Sequence, residues 1–184
     1  FNGLHLHARL AALPMPERDA QWSIPIAVLD TDGHSPIWTL IDWAWSNGFD
    51  VIEDRRAELA GITLCWFLTT TNRAVRDRAT KALSALLAKR PSLAADLLTR
   101  FWRTDDDYLR ERLLAAIYGA MLQGMMEESA IGTLALTVYT TLFADEAPPA
   151  NALIRDHGRG IVEYALWRQC LPAQVELVKA RPPY

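Results

Sequence analysis

The sequence predicts an all-α protein, a solenoid of stacked antiparallel helix pairs. One block occurs three times: Asn72-Arg73-Ala74-Val75-Arg76-Asp77-Arg78, Asp106-Asp107-Tyr108-Leu109-Arg110-Glu111-Arg112, and Asn151-Ala152-Leu153-Ile154-Arg155-Asp156-His157. Arg76, Arg110 and Arg155 stand 34 and then 45 residues apart, a period that signals stacked helical units. After each block the apolar positions keep step. Val75, Ala79, Ala82, Leu83 and Leu86 correspond to Leu109, Leu113, Ala116, Ile117 and Ala120, and then to Ile154, Gly158, Ile161, Val162 and Ala165. Spacings of i, i+4, i+7, i+8 and i+11 put one stripe on one side of an α-helix.

The chain divides into an N-terminal helical section, residues 1–50, and three helix pairs over residues 51–184, all in one domain. Trp22, Trp38, Trp43 and Trp45, four of the seven tryptophans, fall in the first section. On a helix over 36–47, Thr39, Asp42 and Ser46 make one narrow polar stripe, and Ile37, Trp38, Leu40, Ile41, Trp43 and Trp45 cover the rest. A helix apolar nearly all round is expected to be buried on several sides. Trp38, Trp43 and Trp45 therefore read first as core packing, and second as an exposed aromatic patch that docks a partner.

Each repeat then needs a partner helix just upstream of its striped helix, and the sequence offers 57–68, 93–102 and 130–143. Phe67 and Phe101 each lie eight residues before the first stripe residue. In the third pair Phe143 lies eleven before it, because the segment with Pro148 and Pro149 lengthens the turn and stiffens it. Asn72, Asp106 and Asn151 are the expected N-caps, since a short side-chain oxygen there accepts from the free amides of the first turn.

This helix–turn–helix unit, with a hydrophobic residue, an arginine and an acid opening its second helix, resembles a HEAT repeat. The Asp usual in that family's turn is replaced by Thr70, Thr104 and Pro149. Four longer stretches are Met15-Pro16-Glu17-Arg18-Asp19 with Trp22 and Ser23, Leu40-Ile41-Asp42-Trp43-Ala44-Trp45, Trp66-Phe67-Leu68-Thr69-Thr70, and Leu153-Ile154-Arg155-Asp156-His157-Gly158-Arg159-Gly160. They resemble segments of very large bacterial ATP-binding proteins of the STAND or NACHT-like class, several of which act in anti-phage defence. The resemblance implies a sensor or scaffold region with an ATPase upstream. No nucleotide-binding residue carries over, because the chain lacks the glycine-lysine phosphate loop and its nine glycines are scattered.

Composition points to a cytoplasmic helical domain. With an apolar share of 51%, no run approaches the roughly 18 apolar residues that cross a bilayer. Cys65 and Cys170 are the only cysteines, and a reducing compartment fits them better than a disulfide framework. The chain opens on Phe1 without a basic stretch ahead of an apolar one, so it reads as a segment of a longer protein with no signal peptide.

Motifs for chemistry are sparse. His5 and His7 project about 200° apart on a helix and have no further ligands nearby in sequence. Asp30, Asp32 and Gly33 read as a turn, since a calcium loop would need an acid where Ile41 stands. Asp105, Asp106 and Asp107 suit a helix start, where negative charge complements the dipole. Arg76, Arg110 and Arg155 form a ladder that could hold an acidic partner. Each is followed by Asp77, Glu111 or Asp156, however, so ion pairs between repeats are the expected use. A net charge of −3 argues against a nucleic-acid surface. No catalytic residue, cofactor or metal site is expected. The leading function is a non-catalytic scaffold or sensor contacting a protein partner or a neighbouring domain. The alternatives are a free-standing HEAT-type adaptor and a HEAT-like DNA glycosylase using Trp102 with Asp105–Asp107.

Overall fold

The computed structural model describes residues 2–29, 35–46, 51–145 and 147–184. Among them every regular element is helical: α1 (Gly3–Ala11), α2 (Met15–Arg18) running through a π-helical turn (Asp19–Ser23) into α3 (Ile24–Leu29), α4 (Pro36–Trp45), α5 (Asp54–Phe67), α6 (Arg73–Ala88), α7 (Pro91–Trp102), α8 (Asp107–Leu122), α9 (Glu128–Leu142), α10 (Ala152–Trp167) and α11 (Leu177–Ala180). No described helix is long and apolar enough to cross a membrane. The expected turn at Asp30, Asp32 and Gly33 lies outside the described residues, as does the expected last residue of the Trp-rich helix, Asn47.

The three expected pairs form as α5 with α6, α7 with α8, and α9 with α10, within a few residues of the expected bounds. Their register follows from the caps and stripes. Asn72 Oδ1 accepts from the amides of Ala74 and Val75 at 3.0 and 3.3 Å, and Asn151 Oδ1 from those of Leu153 and Ile154 at 2.9 and 3.2 Å. Asp106 Oδ1 accepts from Leu109 N at 3.0 Å. Every stripe residue of the three second helices is buried. Gly158 takes the place of Ala79 and Leu113 because a Cβ there would meet Leu142 Cδ2 at 2.6 Å and the Phe143 ring at 3.2 Å. We expect Leu83→Ala and Ile117→Ala each to cost about 2–5 kcal/mol in urea unfolding, since both side chains are fully buried between layers. A cost under about half a kcal/mol at both would place the stripe outside the core.

The N-terminal section extends the stack rather than standing apart from it. The first helices form one layer, α5, α7 and α9, which α1 lengthens by packing on α5; the second helices α6, α8 and α10 form the other, which α4 lengthens by packing on α6. Between α1 and α4 the chain crosses the turns that join the layers. Trp22 Nε1 donates to Trp66 O at 2.9 Å, Thr70 Oγ1 donates to Ser23 O at 3.3 Å, and the Ser23 and Thr69 hydroxyls lie 3.0 Å apart. On the next turn Arg18 Nη2 donates to Asp105 O at 2.8 Å and pairs with Asp106 Oδ2 at 3.3 Å, both side chains almost wholly buried. The segment thus straps two successive turns together. At the far end the C-terminal residues fold back: Tyr139 donates to Glu176 at 3.2 Å and Tyr184 stacks on Phe143 at 6.3 Å.

Candidate functional site

The three in-register arginines do the same thing in each repeat. Arg76 Nη1 donates to Thr70 O at 2.9 Å, Arg110 Nε and Nη2 both donate to Trp102 O at 3.1 and 2.9 Å, and Arg155 Nη1 donates to Pro149 O and Ala150 O at 2.6 and 2.7 Å. These carbonyls belong to the end of the first helix or to the turn, where no intrahelical donor reaches them. Each guanidinium also lies near an aromatic ring: Arg76 over Tyr108 at 4.8 Å, Arg110 over Trp102 at 5.1 Å, and Arg155 over Tyr184 at 5.1 Å. All three are half-buried. An arginine planted on the second helix therefore clasps the turn that precedes it.

That arrangement corrects the expectation that these arginines exchange ion pairs between repeats. Arg110 pairs within its own helix with Asp107 at 2.8 Å, and Asp156 pairs with Arg159 at 2.5 Å. The bridge between repeats is made two residues further on, by Arg112 to Asp77 at 3.0 Å. Geometry decides this, because a side chain at the Arg76 position lies beside its own turn while one half a helical turn later faces the neighbouring second helix.

The tryptophans divide. Trp38 is buried at 8% exposure, with Arg78 over its ring at 4.7 Å, whereas Trp43 and Trp45 are 37% and 56% exposed. Core packing thus accounts for the first, and the other two are partly exposed on α4, which among the described residues is the last helix of its layer. Pro36, Thr39, Leu40 and Trp43 line an open apolar cleft of about 590 Å³ there. Trp45 lines a second cleft of about 340 Å³ with Ile41, Asp42, Arg78 and Lys81.

Asp105, Asp106 and Asp107 prove to be three different devices. Asp106 caps α8 and neutralises Arg18, Asp107 pairs with Arg110, and the Asp105 carbonyl takes a hydrogen bond from Arg18. Among the described residues no group of three or more His, Cys, Asp or Glu gathers as a metal cage. Cys65 is fully buried in α5, and burial pushes its thiol up, away from the reactive thiolate.

His7 and His157 are both held below the ordinary imidazole value, chiefly by burial, with Arg100 adding to the effect at His7. In the unfolded chain each takes a proton near the ordinary imidazole value of about 6.5, so between that value and the lower folded one the unfolded state binds more protons. Stability is then full above that range and falls with pH through it. We expect the urea midpoint to drop between about pH 7.5 and 5.5, and the drop to shrink in the His7→Gln, His157→Gln double variant. An unchanged drop in that variant would assign the slope to other groups.

One grouping had no sequence signal. His7 and Ala11 of α1 face Asp96, Thr99 and Arg100 of α7, with Arg103 and Thr104 just past its end, across a cleft of about 750 Å³. The spacing from Asp96 to Arg103 marks a polar helix face, but only the packing of α1 makes it a wall. Comparison of the chain with known protein families, curated proteins and solved structures gave no match.

Proposed function

We propose that this chain is a non-catalytic helical-repeat segment of a large ATP-dependent signalling or defence protein, a scaffold or sensor that contacts a protein partner or a neighbouring domain. The observation that carries the contact role is the outer side of α4. A stack of helix pairs buries each layer against the next, and the terminal helix needs a polar outer face or a covering element. Among the described residues that helix leaves Trp45 56% exposed, beside a cleft that it shares with Ile41, Asp42, Arg78 and Lys81. The arginines support a scaffold in another way, since a clasp repeated at three turns stiffens the array. The link to an ATPase rests on the residue stretches that resemble STAND or NACHT-like proteins.

The test is the size of the native product, read by immunoblot of a lysate of the source cells with an antibody against this segment. The segment itself is 20.7 kDa. A product well above about 100 kDa, the size of several domains, is expected. A product near the mass of the segment would overturn the reading and leave a free-standing adaptor in its place.

A further inference from the structure

The end face of the third helix pair is covered by a segment that is not itself a helix pair. The chain leaves α10 through a turn in which Gln169, at φ 59°, stands in the left-handed region, with Gln169 N donating to Leu166 O and Cys170 N to Ala165 O, both at 3.0 Å. That turn sends residues 170–184 back across α9. Gly132 receives them: a Cβ there would meet Cys170 O at 2.7 Å, and the next nearest atoms are Cγ and Cδ of Pro172 at 3.7 and 3.8 Å. A backbone carbonyl thus lies against the helix at a place where any side chain would hold it off.

The segment makes the contacts that a following unit makes in an earlier pair. Beside Gly61 on α5 the space is taken by Leu93 and Leu97 of α7, the first helix of the next pair, 3.6 and 3.3 Å from where a Cβ would lie. Beside Gly132 on α9 it is taken by Cys170 and Pro172. Arg76 lies over the ring of Tyr108, from the second helix of the next pair, at 4.8 Å; Arg155, its counterpart in the third repeat, lies over Tyr184 at 5.1 Å. The segment therefore supplies two contacts of a fourth pair, one in the first-helix layer and one at the turn. Its two sides also differ. Val175 and Ala180 are buried, whereas Gln174, Glu176, Lys179 and Arg181 are exposed, with Val178 the apolar exception. A polar outer side over a buried inner one is what the end of a repeat array requires.

We propose that residues 170–184 are an intramolecular cap that holds the seat of a further helix pair and so keeps α9 from docking on a second copy of this chain. The cap touches Gly132, Tyr139 and Phe143, at i, i+7 and i+11, with Leu136 on the same stripe. No charged residue occurs between Gly132 and Phe143, so two such faces meet about a twofold axis without opposing like charges. The cap belongs to the third pair and is independent of the contact role given to α4.

The experiment combines amide hydrogen exchange and sedimentation velocity on the 184-residue chain and two variants. Gly132→Ala sets a methyl group against Cys170 O and favours the helix that carries it, so it unseats the cap while keeping α9. Tyr184→Ala removes the ring from Arg155 at an exposed position. The unaltered chain is expected to be a monomer. In Gly132→Ala the amides of Val175 and Lys179, which donate to Pro172 O and Glu176 O at 3.0 Å, should exchange about tenfold faster, the effect of overpacking by one methyl. The amides of α5 to α10 should keep their protection, and a dimer should form as concentration rises. Tyr184→Ala should move both readouts the same way by less. Cap exchange unmoved in either variant, a loosened cap on a chain that stays monomeric or forms only aggregates, or an unaltered chain that dimerises as readily would overturn the cap. So would loss of protection across α9 and α10 in Gly132→Ala, which would make the segment an integral part of the third pair.

Discussion

Asp106→Ala is expected to cost about 3–5 kcal/mol in urea unfolding, because it strands a buried arginine. Arg18 and Asp106 are 1% and 3% exposed and meet at 3.3 Å. The guanidinium sits 5.8 Å from the Trp66 ring and has one other anchor, the Asp105 carbonyl. Arginine cannot shed its proton at any ordinary pH, so removing the carboxylate leaves a fixed charge in the core. The cap on Leu109 N goes with it, worth about 0.5–2 kcal/mol by itself.

The reverse truncation should be milder. Burial pushes the Asp106 carboxyl above the usual carboxylate range, against the pull of the Leu109 amide and Arg18 in the other direction. Without Arg18 it rises further and can take a proton instead of remaining a lone charge. A carboxyl raised in the folded state is most favourable below its unfolded pKa and loses that advantage as pH rises through the folded one. The penalty of Arg18→Met should accordingly shrink as the pH is lowered from neutral toward the usual carboxylate range, while that of Asp106→Ala should not. Equal, pH-independent costs for the two would show that the pair is not the buried contact described.

Trp66→Ala is the second large effect, about 3–5 kcal/mol. Trp66 is fully buried on α5, with Phe101 edge-on at 5.4 Å and His7 tilted at 5.7 Å. Through these rings it joins α1, α5 and α7, so its loss opens a cavity at a three-helix junction. Trp66→Phe should cost much less, because it keeps a ring and removes an indole N–H that has no partner. Both are read from the unfolding midpoint at constant slope. A Trp66→Ala cost below about 1 kcal/mol would mean that the junction collapses around the gap.

The stacked pairs were legible because their signals are local. A cap three residues ahead of a stripe, and a stripe at helical spacing, need no knowledge of the rest of the chain. Asn72, Asp106 and Asn151 cap as expected, and the stripes from Val75, Leu109 and Ile154 are buried. The strap was not legible. Arg18 and Asp106 are 88 residues apart, and nothing around Arg18 marks it as a core residue. Likewise α1 carries no repeat block, so its place on α5, and the cleft it forms with α7, could not be read from spacing. The arginine ladder was half legible: the register was apparent, but whether each side chain met an acid or a carbonyl depended on how closely the turn approaches its own helix. For Trp43 and Trp45 the helix was foreseen, but the near-continuous apolar surface of α4 does not say which of its faces packs on α6, and Trp38, Ile41 and Ala44 take that place.

The strap of residues 14–23 gives the array an unusual response to mechanical load. Most stacked repeats peel from an end one unit at a time, each breaking only its contacts with the next. Here a pull on the N-terminal side is shared between the turn after α5, held through Trp22, Ser23 and Thr70, and the turn after α7, held through Arg18. Two units must yield before the first is free, and the rupture force at that end should exceed that of an unstrapped pair. Tension entering from the N-terminal side is passed directly to the second repeat.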